Sequence, residues 1–147
     1  MPRYGKNLDL RSQVSPVALV KGEWIPTYLK NDQTHFPTFT SLPDDSDVDL
    51  RYFDEERPGV YGPVKHWCLL AEIVELVPYL RPMFTVKDKA GKQFLVTMYL
   101  DNDVALPDFW HKYCMPGNVV AIMYANSHNF MDGQTGIRVE EVGTIKV

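Results

Sequence analysis

From Met83 to Asp101 the sequence MFTVKDKAGKQFLVTMYLD alternates in steps of two on both sides of a short polar turn. Phe84, Val86 and Asp88 alternate with Met83, Thr85 and Lys87. Beyond Lys89-Ala90-Gly91, Phe94, Val96, Met98 and Leu100 alternate with Leu95, Thr97 and Tyr99. Successive side chains on a strand point to opposite faces, so this period excludes a helix and predicts an antiparallel hairpin with one apolar face. Asp88 and Gly91 supply the turn chemistry. The chain is thereby committed to a sheet that must cover one side.

The flanking segments supply partners for that hairpin. KHWCLLAEIVELV reads as a strand of about ten residues, and Pro78-Tyr79-Leu80-Arg81-Pro82 stops it between two prolines. LPDFWHKYC carries a helical pattern, with Pro107 suited to the first turn and Met115-Pro116-Gly117 ending it. NVVAIMYANS is a fourth strand, apolar on both faces and so expected to be covered on both. NFMDGQTG is a loop, and GIRVEEVGTIKV a fifth strand broken at Gly143. The order strand, strand, strand, helix, strand, strand predicts a mainly β chain: a five-stranded Greek-key barrel with a helix between strands three and four plugging one end. Periodicity alone also admits another α+β arrangement. The long first strand, tight hairpin and helix ending in Pro-Gly resemble an oligonucleotide/oligosaccharide-binding (OB) fold over residues 63–147.

Residues 1–62 have a different texture. Short apolar pieces such as Val17 to Val20 and Trp24 to Leu29 are interrupted by Pro16, Pro26, Pro37 and Pro43, predicting an irregular extension that packs on the barrel. SLPDDSDVDLRYFDEERPG reads as a solvated acidic loop, and its spacing lacks the glycine and terminal Glu of a calcium-binding loop. With 45% hydrophobic and 12% aromatic residues among 147, a wholly disordered or low-complexity chain is excluded. No apolar run reaches the roughly 18 residues that span a bilayer, and MPRYGKNLDLRSQV lacks the apolar core of a secretory signal. Two cysteines make no disulfide framework, so an intracellular protein, cytoplasmic or nuclear, with reduced thiols and no membrane partner is expected. Residues 1–62 hold 7 basic and 10 acidic groups, and 63–147 hold 8 and 9, which gives the net charge of −4. Neither part is a basic surface, so counterion release contributes weakly to any nucleic-acid affinity.

HWCLLAEIVELVPYLRPMFTVKDKAGKQFLVTMYLD and GNVVAIMYANSHNFMDGQTGIRVEE resemble the N-terminal domain of fungal proteins that carry a MYND-type zinc finger further along the chain. The resemblance covers His66 to Asp101 and Asn118 to Glu141. Two cysteines cannot supply the finger itself. The resemblance implies a eukaryotic intracellular interaction module, with no catalytic residues to carry over.

Candidate chemistry is sparse. His66, Cys68, His111 and Cys114 offer two nitrogens and two sulfurs for a zinc ion, which needs all four within about 2.3 Å of one point. Buried cysteines and histidines at element ends are the simpler reading, so neither metal nor cofactor is expected. His128 and Asp132, in the loop joining strands four and five, are candidates for an acid-base pair or for ligand contacts, against a polar turn in which Gly133 takes positive φ. If Phe84, Val86, Phe94, Val96 and Met98 fill the barrel, a binding face of Arg81, Thr85, Lys87, Leu95, Thr97, Tyr99, His128 and Phe130 looks outward, with Tyr79 at one lip. The main expectation is a non-enzymatic module for protein-protein or regulatory assembly, the apolar part of this face being covered by Trp24, Ile25 and Tyr28 or by a protein partner. Alternatively Tyr99 stacks a base while Arg81 and Lys87 track phosphate. A third possibility is a small enzyme or ligand carrier using His66, His128, Tyr99, Asp132 and Glu72.

Overall fold

The structure, a computed structural model, describes residues 24–78, 81–101 and 109–147, with the side chains of Pro78, Phe109 and His111 outside the description. Val17 to Val20, Tyr79 and Pro107 also lie outside the described residues. In chain order the elements are α1 (Thr27–Lys30), a 3₁₀ turn (Phe39–Ser41), β1 (Phe53–Arg57), β2 (Val60–Pro63), β3 (Cys68–Pro78), β4 (Pro82–Asp88) and β5 (Gln93–Met98). They continue with α2 (Phe109–Lys112), β6 (Val119–Met123), β7 (His128–Asn129), β8 (Thr135–Val139), a second 3₁₀ turn (Val142–Thr144) and β9 (Ile145–Lys146).

The chain is mainly β, and the five strands read from the sequence are β3, β4, β5, β6 and β8. They pair in the order β6-β3-β4-β5-β8, antiparallel except for the parallel β5/β8 seam. The expectation of a closed five-stranded barrel is corrected: among the described residues the sheet has seven strands, ends on β7 and β9, and is not closed by pairing. Both added strands are two residues long, too short to leave a period. β9 exists because the turn at Val142–Thr144, around the Gly143 break, folds Ile145 back beside Ile122. β7 exists because the 128–136 loop pairs with itself, His128 opposite Gly136 and Asn129 opposite Thr135.

The inward set of the predicted hairpin is the core. Phe84, Val86, Val96 and Met98 are buried with Leu69, Ala71, Ile73, Val120, Ile122, Ile137 and Ile145, and Trp110 of α2 packs on Phe84. β6 departs from expectation: Val120 and Ile122 are buried, but Val119 and Ala121 are half-buried and Met123 is exposed, so one of its faces is only partly covered.

The extension is more ordered than its composition predicts. β1, inside the acidic segment read as a loop, pairs with β2 just beyond it in a separate two-stranded sheet that turns at Gly59, whose φ of +77° glycine adopts without strain. Tyr52 packs on Trp67 and donates its hydroxyl to the Thr34 carbonyl, and Phe39 stacks on Phe94 with ring centroids 4.1 Å apart. The buried Asp88 carboxylate ties the two regions together. One oxygen accepts the Ala90 and Lys92 amides of its own turn, and the other accepts the Phe39 amide at 2.8 Å. Lys89 adds its ammonium to the carbonyls of Leu29 and Asp32, and burial lowers its pKa.

Acid should loosen this extension. Hydrogen bonds from His35 to Asp32, from Ser46 to Asp44 and from Arg51 to Asp49 hold all three carboxyls below the ordinary value of 3.8. A carboxyl depressed in the folded state contributes stability that is present above the unfolded pKa and lost as pH falls through the folded one. Stability is therefore expected to drop below about pH 4, with a red shift in tryptophan emission as Trp67 loses Tyr52. An acid titration with no change below that pH would contradict this.

Candidate functional site

The outward side chains of β4 and β5 floor a groove of about 750 Å³. Met83, Thr85, Leu95 and Thr97 come from those strands, Val77 from β3, Tyr99 from the residue after β5, and Arg81 from the β3–β4 connection. The opposite wall is the β7–β8 region, with His128, Phe130, Met131, Asp132, Gln134 and Arg138. Seven of the eight residues assigned to this face from the sequence thus line one groove. Lys87 does not: it reaches across to Glu72 of β3 at 3.7 Å.

Alternation along β4 and β5 explains the floor. Thr97 points to the groove side as predicted, yet it is only 3% exposed, and its Oγ1 is sealed with no hydrogen-bond partner among the described residues. The floor therefore presents mainly methyl, thioether and leucine surface, with Thr85 its remaining hydroxyl.

Charge sits on the rim. The guanidinium carbons of Arg81 and Arg138 lie 4.0 and 4.3 Å from the centroid of the same Tyr99 ring. Arg138 also bonds Glu140 at 2.8 Å, whereas Arg81 makes no ion pair among the described residues. A stacked guanidinium keeps its N–H edge free for an anion and its outer plane free for another flat group.

His128 is held differently from the expectation. Its Nδ1 is 2.5 Å from Asp45 of the extension, not from Asp132, which instead accepts the Gln134 amide within its own turn. Backbone bonds from Ser127 to Pro43 and from Asp45 to Ser127 fix this contact, and the His128 and Phe130 rings meet edge to face with centroids 4.7 Å apart. Of the two readings of this loop the polar turn is the one seen: Asp132 accepts within a turn that Gly133 closes at φ +87°.

The expected cover is also absent among the described residues. Ile25 is buried, but Tyr28 is 60% exposed and none of Trp24, Ile25 and Tyr28 lines the groove. The extension is instead anchored at the β4–β5 turn, because Asp88 and Lys89 there bind its backbone.

The four metal candidates are distributed as follows. His66 is exposed and bonds the Tyr124 hydroxyl, Cys68 and Cys114 are buried thiols, and the His111 side chain lies outside the description. Burial pushes Cys68 up and Cys114 to about 11, so both are protonated at neutral pH and poor nucleophiles. Among the described residues no three His, Cys, Asp or Glu side chains gather as metal ligands, and no helix is long and apolar enough to cross a membrane.

Sequence reasoning missed Arg138, Asp45, Val77, Met83 and Met131 as parts of this site. Arg138 was legible: with Ile137 and Val139 turned inward, it must face out. That it faces the same groove follows only from the parallel seam, which sets it opposite Thr97.

No family model matches the chain, and no curated protein matches it. Among solved structures it is similar to a chain of the S. pombe Stn1-Ten1 complex at 18% identity, 76% of each chain covered and a TM-score of 0.45. It is also similar to Schizosaccharomyces pombe Pot1pC bound to ssDNA, at 10% identity over 72% of this chain and 85% of that one, TM-score 0.40. A third is a Replication Protein A heterotrimer bound to ssDNA, at 10% identity over 60% and 68%, TM-score 0.37.

Proposed function

We propose that the chain is an OB-like module that binds single-stranded nucleic acid in the groove over β4 and β5. The observation that carries this reading is the Tyr99 ring with two guanidiniums against it, at the rim of an open and mainly apolar floor. Unpaired bases stack on aromatic rings and on guanidinium planes, while the guanidinium edges take phosphate oxygens. Phe130 across the groove offers a second ring. The fungal, cytosolic or nuclear setting implied by the MYND-associated phrase belongs to the same proposal.

Fluorescence anisotropy with a labelled unstructured oligonucleotide tests it. Two neutralised phosphates predict a slope of log affinity against log salt of about −1.4. Arg81→Ala should make that slope shallower by about 0.7, and Tyr99→Ala should weaken binding by about 5- to 150-fold. Flat titrations at low salt would sink the proposal. A second reading, docking of a partner protein for assembly, is favoured by Met131, whose side chain stands fully exposed at the groove lip. That reading predicts binding little affected by salt and no oligonucleotide competition.

A further inference from the structure

We infer that the groove selects thymine over uracil within a single strand; this rests on the nucleic-acid reading of the same groove. The floor decides which base fits. Val77, Met83 and Leu95 are apolar, the Thr97 hydroxyl is sealed away, and of the side chains contributed by the β3–β5 strands to the floor only Thr85 remains to offer a polar group.

A buried base must find partners for its polar edge or lose the free energy of hydrating it. Guanine and cytosine bring exocyclic amines as well as ring acceptors, and on this floor only the Thr85 hydroxyl meets them, the acceptors His128, Asp132 and Gln134 standing on the opposite wall. Thymine brings a methyl group and the smaller polar demand of two carbonyls and one N–H. Its methyl gains by leaving water against methionine and leucine, and uracil has no such group. The rim arginines act on the backbone and are blind to this difference. Charge complementarity sets the occupant's class: Arg81, free of an ion pair among the described residues, lines the groove beside Tyr99.

Oligo-dT and oligo-dU of equal length share backbone, charge and base edge, so titrating the full chain with each isolates the methyl group. The expected result is tighter binding of oligo-dT by about fourfold. Met83→Ala and Leu95→Ala should each shrink that ratio towards one while the salt slope for both oligonucleotides is kept; two variants guard against one that folds poorly. Equal, salt-dependent affinity for dT and dU would overturn the inference and leave the nucleic-acid reading standing. No binding of either would overturn both. Self-association of the chain by light scattering, with no oligonucleotide binding, would assign the groove to a second copy instead.

Discussion

Replacing Asp88 with alanine is expected to destabilise the chain by roughly 4 kcal/mol, because three backbone donors lose their acceptor at once. The Phe39 amide is the most costly of the three, since it is buried 49 positions away in sequence and water cannot replace the carboxylate there. The Ala90 and Lys92 amides sit in the part-buried turn and are partly rehydrated. Losing the first also frees Phe39 from its stack on Phe94, so the extension separates from the sheet as the turn loosens. Asparagine at this position keeps one carbonyl oxygen and should recover part of the loss. Urea unfolding of the three forms measures this, and an unchanged midpoint for Asp88→Ala would mean that the carboxylate does not join extension to hairpin.

Gly136→Ala is expected to cost about 3 kcal/mol, near the upper end for forcing an atom into a packed site. A Cβ built on Gly136 falls 2.3 Å from the carbonyl oxygen of Leu95 and 3.1 Å from a ring carbon of Phe130. The oxygen belongs to the backbone of the paired strand and cannot rotate away, so β8 must move off β5. That opens the parallel seam, in which Leu95 faces Gly136 and Thr97 faces Arg138, and draws one guanidinium from Tyr99. Hydrogen exchange should quicken at the Tyr99 amide, which donates to Val139 across this seam, and oligonucleotide affinity should fall with it. A variant with wild-type exchange and midpoint would show that the strands do not approach this closely.

The two substitutions mark where reading the chain stops. Asp88 was legible as a turn residue, because Asp before Lys-Ala-Gly has a local role that any hairpin would use. Its second role was not, since nothing near Phe39 in sequence announces that its amide needs a carboxylate from the hairpin. Gly136 looked like one end of a loop; its real constraint is the carbonyl of a strand some 40 positions earlier. The candidate site divides in the same way. Alternation placed Thr85, Leu95 and Tyr99 on one face, whereas the partner of His128 was not legible, because Asp45 is near it only in space.

Local chemistry by itself determined the strands β3 to β6 and β8, the turn between β4 and β5, the apolar interior and the face that looks away from it. Those follow from period and turn residues, which act between neighbours a few positions apart. Tertiary structure alone decided that the sheet stays open with short strands at both edges, that the acidic extension is pinned by Asp88 and Lys89, and that Arg81 and Arg138 meet at one tyrosine. Each of those depends on where distant backbone and side-chain groups find their hydrogen-bond and stacking partners after the chain has closed on itself, and no pattern along the chain encodes that distance.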